Sequence, residues 1–269
     1  MTNKTLASGI ALSGLLMLPL SLTLSSCGDD GIRTIPQQNG QHDQGSKIAS
    51  PAQLLIETNQ PGFQVTNILY NANNSLKSFT TDGNYITQIT YAPGKVIYTT
   101  TLGGKKTSDI VYDMGNQYAV KKLETFYTSG GNVADFIVTD YYYDASGKLS
   151  KEAYRENNLP DGHVVYHYDD NNVTFQERFD ADGDIVNKVS YEYYLKIADK
   201  SNHLSQFNLK MDAKLFPRFS KNLIQVKNFK KAGKNPVVTN FTYVFNNELY
   251  PVSGDVTGPY PYSWTSVWQ

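Results

Sequence analysis

The chain has 269 residues, with 24 basic and 25 acidic side chains and a formal net charge of −1. That balance argues against nucleic acid or anionic lipid surfaces as partners, because both call for a basic face. Hydrophobic residues make up 40%, with 20 Tyr and 12 Phe, the composition of an all-β protein in which many strands keep one face in water.

Residues 1–26 carry a single charge, Lys4, ahead of an apolar run from Leu6 to Leu24 that only small residues and Pro19 interrupt. This is the pattern of a signal peptide, whose removal takes the net charge from −1 to −2. It ends in Leu24-Ser25-Ser26-Cys27, which has the form of a bacterial lipobox: a branched apolar residue, two small ones, then the thiol that accepts the acyl chains. Cys27 is the only cysteine, so no intramolecular disulfide is available and an unpaired thiol in a secreted chain calls for a use. Lipidation supplies it, and each buried methylene contributes about 0.8 kcal/mol to anchoring. Gly28-Asp29-Asp30 resembles the acidic signal that sends Bacteroidota lipoproteins to the exterior side of the outer membrane. Residues 27–50 are rich in Gln, Asn, Gly and Ser and read as a flexible tether. Residues 51–269 are enough for one all-β domain.

Within that domain one heptad recurs: Tyr143-Asp144-Ala145-Ser146-Gly147-Lys148-Leu149. Before it, Ile137, Thr139, Tyr141 and Tyr143 alternate with Val138, Asp140 and Tyr142, as in a strand. Asp144 caps the turn by accepting backbone N–H groups, Gly147 takes the positive φ of a tight hairpin, and Leu149 opens the return strand. Related copies begin at Tyr70, Tyr91, Tyr112, Tyr168, Phe179 and Phe245. From Tyr70 to Phe179 the leading aromatics lie 21, 21, 31, 25 and 11 residues apart. A spacing near 21 fits two strands and two turns, and 11 fits one of each, so the array reads as an antiparallel meander.

Residues 60 to 255, including Ser220-Lys221-Asn222-Leu223-Ile224, the strand from Val237 to Phe245 and the turn from Asn246 to Pro251, resemble the YD-type repeats of Rhs-like bacterial surface proteins. The chain is closer still to a family of Bacteroidota surface lipoproteins of unknown function built from shorter arrays. Asn71, Ala92 and Asn246 replace the motif's Asp, and no toxin-releasing core follows, so the Rhs delivery function does not carry over. The expected fold is one twisted, partly curled sheet of repeated hairpins. An insertion near 198–219, with Leu204, Phe207, Leu209, Met211, Leu215 and Phe216 among polar residues, is expected to cover part of it, since an apolar sheet face must be covered by something, by closure into a barrel, or by a second sheet.

Candidate chemistry is sparse. Asp180-Ala181-Asp182-Gly183-Asp184 has the carboxylates of a calcium loop, but its glycine is early for an EF-hand and no bidentate Glu follows; turn roles already explain Asp180 and Gly183. His163 and His167 lie about 13 Å apart on a strand, too far to share a metal. Gly103-Gly104-Lys105-Lys106 is a turn and not a phosphate loop. No cofactor or metal site is expected. Trp264 and Trp268 are the candidate contacts for a glycan or protein partner if exposed, or the rings of a last strand if buried. The expectation is an outer-membrane-anchored, non-enzymatic binding or scaffold lipoprotein. Two alternatives stay open: a hydrolase or processing factor with its site in the 198–219 insertion, and an apolar-ligand carrier if the sheet encloses a cavity.

Overall fold

The computed structural model describes residues 55–60, 63–198, 215–217 and 220–268, all within one compact unit, Gln38–Gln269. The signal peptide, Cys27, the tether and most of the 198–219 insertion lie outside the described residues.

Seventeen strands follow in chain order: β1 Leu55–Gln60, β2 Phe63–Tyr70, β3 Leu76–Thr81, β4 Tyr85–Ala92, β5 Lys95–Leu102, β6 Lys105–Met114, β7 Ala119–Tyr127, β8 Val133–Tyr143, β9 Leu149–Glu156, β10 Leu159–Asp169, β11 Asn172–Phe179, β12 Ile185–Ala198, β13 Asn222–Lys231, β14 Val237–Phe241, β15 Val244–Phe245, β16 Pro251–Thr257 and β17 Tyr262–Trp268. Each pairs antiparallel with its chain neighbours, except that β14 and β15 both pair with β16 as two pieces of one strand, interrupted at Thr242 and Tyr243.

The decisive pairing joins the two ends of the meander. β1 runs antiparallel to β17, with Leu55 opposite Trp268 and Thr58 opposite Ser266. The sheet therefore closes into a 16-strand barrel, which corrects the expected partly curled, open sheet. Closure satisfies the backbone N–H and C=O groups that two open edges would expose.

The repeats explain what happens at one end of this barrel. The turns after Tyr70, Tyr91, Tyr112, Tyr143, Tyr168 and Phe245 all fall at the end where β1 starts and β17 finishes; the turn after Phe179, one strand later, falls at the other. Asp144 Oδ1 accepts from the backbone N–H groups of Ser146 (2.8 Å) and Lys148 (2.9 Å). Asp180 treats Asp182 and Asp184 the same way, and Asn246 treats Glu248 and Tyr250 so. Gly147 has φ 81°.

Three of the tyrosines that open repeats, and Tyr193 on β12, stitch adjacent strands. The phenols of Tyr91, Tyr143, Tyr168 and Tyr193 donate to the carbonyls of Leu76, Ala119, Leu149 and Val173 at 2.9, 2.5, 2.9 and 2.6 Å. Those four acceptors are the first or second residues of their strands and are at most 1% exposed, so each of these contacts brings one ring and one apolar side chain to the same layer. Leu215 and Phe216 complete it. Phe216 meets Tyr112 and Tyr141 edge-on at 5.9 and 4.8 Å between ring centres, and Leu215 C=O accepts from Ala119 N–H at 2.8 Å. The described part of the insertion thus covers the sheet from inside, as a plug at this end.

The Asp144 carboxyl is held below the usual carboxylate range, first by the Ser146 side chain and then by the Lys148 N–H. A lowered folded-state pKa means stability that is present above the unfolded value and lost as pH falls through the folded one. Asp144→Ala is expected to cost about 1 kcal/mol at neutral pH, with the difference from the parent shrinking only below the ordinary Asp range, as read by urea unfolding at pH 7 and pH 3.

Candidate binding site in the barrel lumen

Side chains alternate along each strand, so the buried rows identify the inward face and their neighbours the outward one. Buried residues of β2 to β9, together with Leu215 and Phe216, form one cluster. Tyr193, Ile224, Phe241, Val256 and Trp264 form a second, on the β12 to β17 arc. Sixteen strands is also the size at which a cylinder leaves space inside for water.

Between these clusters the inward face of β7 to β11 is polar. Lys122 and Glu124 pair at 2.9 Å with side chains only 16% and 19% exposed. Glu152 accepts from the phenols of Tyr154 and, at 3.0 Å, Tyr166. The Arg178 guanidinium lies 6.0 Å from the Tyr154 ring centre and 3.5 Å from Asp161. Thr139 lies between Lys122 and Tyr154 in the strand register; it is fully buried and its hydroxyl has no hydrogen-bond partner among the described residues. Burial raises the Tyr154 and Tyr166 phenols well above their ordinary value, with Glu152 adding to it. Nearer the mouth, burial and then Asp135 raise the Glu156 carboxyl.

The two ends differ. At the plugged end the inward row is sealed, whereas at the other Asp161 and Arg178 have side chains 49% and 47% exposed. This second end is where polar inward side chains meet solvent.

The outward face carries paired charges, both along the strands and at their ends. Arg155 pairs with Asp140 at 2.5 Å, Lys188 with Glu177 at 3.3 Å, and Lys95 with Asp113 at 2.9 Å. The alternation settles the side: Asp113 follows inward Tyr112, Asp140 precedes inward Tyr141, and Glu177 follows Gln176, the partner of Tyr166. His163 and His167 also face outward, stacked on Phe179 and Phe175 at 4.6 and 4.0 Å. Among the described residues no group of three or more His, Cys, Asp or Glu is arranged to hold a metal.

Of the residues picked from the sequence, Trp264 is buried (5% exposed). It points inward, 6.0 Å from Tyr243 and against Gly254, so its ring is not presented to a partner outside. The Trp268 side chain lies outside what is described, as does Cys27. The structure gathers instead Glu152, Tyr154, Tyr166, Thr139 and Arg178, which the motif search passed over. The signal that was available is Glu152 and Tyr154 set two apart, a carboxylate at the strand position of an aromatic residue.

No family model matches the chain, and no curated protein matches it. Solved structures do. A porin-like protein from Bacteroides uniformis superposes with a TM-score of 0.59 at 15% identity, covering 80% of this chain and 95% of that one. A porin-like protein from Bacteroides vulgatus gives 0.60 at 13% identity, covering 81% and 99%. At such identity the likeness is one of fold, a closed antiparallel barrel.

Proposed function

We propose that the chain is a lipid-anchored outer-membrane protein whose barrel stands in water and serves as a non-enzymatic binding module, with its ligand held in the lumen. The observation that carries this is the charged outward wall. A barrel that crosses a bilayer presents an apolar band about 25 Å tall, and each Arg or Lys at its middle costs about 2–4 kcal/mol. Arg155 and Lys188, each with a carboxylate partner, and Asp109 in the middle of β6, paired with Lys106, stand within the length of wall that such a band would have to cover. The porin-like fold of the two Bacteroides proteins supports an outer-membrane address, and Cys27 supplies an anchor that does not require the wall to touch lipid. Closure moves the binding surface from a sheet face, as expected from the sequence, to the barrel interior. Because β1 begins at the plugged end, the tether joins the barrel there and the accessible mouth lies at the opposite end.

The test replaces residues 1–27 by an ordinary cleavable secretion signal. The expected product is soluble without detergent, elutes as a folded β-protein and gives a strand-rich circular dichroism spectrum. A product that sediments with membranes and leaves them only in detergent would reject a water-standing barrel.

A further inference from the structure

We infer that the β7 to β11 side of the lumen is a binding site for an organic ammonium cation, with Glu152 as its counter-charge and Tyr154 and Tyr166 as its aromatic walls. This deepens the binding-module reading and rests on it. Three independent observations converge. The first is charge. Along this arc five carboxylates (Glu124, Asp135, Glu152, Glu156 and Asp161) stand against two cations, Lys122 and Arg178, with Lys227 inward on β13 opposite Tyr191. Lys122 is held by Glu124, and Arg178 lies beside Asp161. Glu152 has phenol donors but forms no ion pair among the described residues. A cleft in which carboxylates outnumber cations draws positive charge inward from its mouth.

The second is ring placement. Tyr154 and Tyr166 bond to the Glu152 carboxylate, and Tyr141 stands directly opposite Glu152 in the strand register, so three tyrosines flank one acid. Aromatic faces around a carboxylate suit a soft, weakly hydrated ammonium group, through cation–π attraction and charge together. Arg178 lies 6.0 Å from the Tyr154 ring centre, a cation–π contact that this wall already makes within the chain. The third is the Thr139 hydroxyl, buried on the same wall with no partner among the described residues; a buried polar group left unpaired is rare and calls for a donor or acceptor that arrives from elsewhere.

Choline and its uncharged tert-butyl isostere are the probes, titrated by calorimetry into the detergent-free protein lacking residues 1–27. Choline is expected to bind saturably, and the isostere at least about tenfold more weakly. Glu152→Gln, which keeps the size of the side chain, and Tyr154→Leu, which removes a ring and no charge, are each expected to weaken choline by about tenfold or more. Lys188→Gln on the outer wall should leave it unchanged. Thermal unfolding of each variant separates lost binding from lost fold, and the Tyr154 variant keeps the test decisive if the Glu152 variant does not fold. Equal binding of choline and the isostere, no saturable binding of choline, or full affinity in both lumen variants would each overturn the inference. Those outcomes in a detergent-free protein leave the water-standing barrel intact. A protein that needs detergent sinks that reading instead, and the titration is then run in micelles with the same criteria.

Discussion

Gly162→Ala is expected to lower the unfolding free energy by about 3–5 kcal/mol, one of the largest losses for any single methyl group added to this chain. Two causes act together. Gly162 has φ +110°, a conformation that costs an L side chain strain, and a Cβ built there would lie 2.1 Å from the carbonyl oxygen of Phe179 and 2.9 Å from two backbone atoms of Asp180. Backbone cannot rotate away as a side-chain tip can, so β10 and β11 would have to part where His163 pairs with Phe179. The comparison is Gly183→Ala: its φ is +91°, yet nothing lies within 4 Å of the added Cβ. It suffers strain without collision and is expected to lose about 1–2 kcal/mol. Urea unfolding of the pair measures the difference. If the two variants lose equally, the close approach of β10 to the Phe179 carbonyl is not a feature of the folded protein.

Gly162 also shows which parts of the architecture a sequence can reveal. The hairpins were legible because their turn chemistry is local: Asp144 and Gly147 meet their partners within four residues. The antiparallel order followed from repeat spacing, and the 11-residue step to Phe179 correctly marked a turn at the opposite end. Closure was not legible. It depends on Thr58 meeting Ser266, and no periodicity within either strand records a pairing partner some 200 residues away.

The faces were harder still, because return strands carry an extra residue directly after their first inward side chain. Tyr143 pairs with Leu149 but Tyr142 with Lys151, which skips Ser150; likewise Tyr168 pairs with Val173 but His167 with Phe175, which skips Thr174. Each bulge shifts the alternation by one. Simple alternation from Leu149 puts Lys151 and Ala153 inside, whereas the register puts Glu152 and Tyr154 there. The lumen site was invisible for that reason: its carboxylate sits on the face that unbroken alternation would assign to solvent. The same shift places Lys151 on the outer wall, 5.8 Å from the Tyr142 ring centre, where it adds to the outward charge.

Phe216→Ala is expected to cost about 3–5 kcal/mol, the range for deleting a buried ring from a packed core. Phe216 is 5% exposed and set edge-on between Tyr112 and Tyr141; neither ring can fill the gap without leaving its strand. The loss has a second readout that ordinary core damage lacks. Tyr112 and Tyr141 are 2% and 5% exposed, and among the described residues Phe216 packs edge-on against both at the plugged end. Removing the ring opens that end, so ultraviolet difference spectra with a water-miscible perturbant should report newly accessible tyrosine while the strand signal in circular dichroism is kept. Phe216→Leu, which keeps most of the volume, is expected to lose less than about 1.5 kcal/mol and to expose no tyrosine. If Phe216→Ala loses less than about 1 kcal/mol and tyrosine exposure is unchanged, the insertion rests on the barrel without sealing it. The lumen would then be open at both ends, and a ligand drawn toward Glu152 would have two ways out.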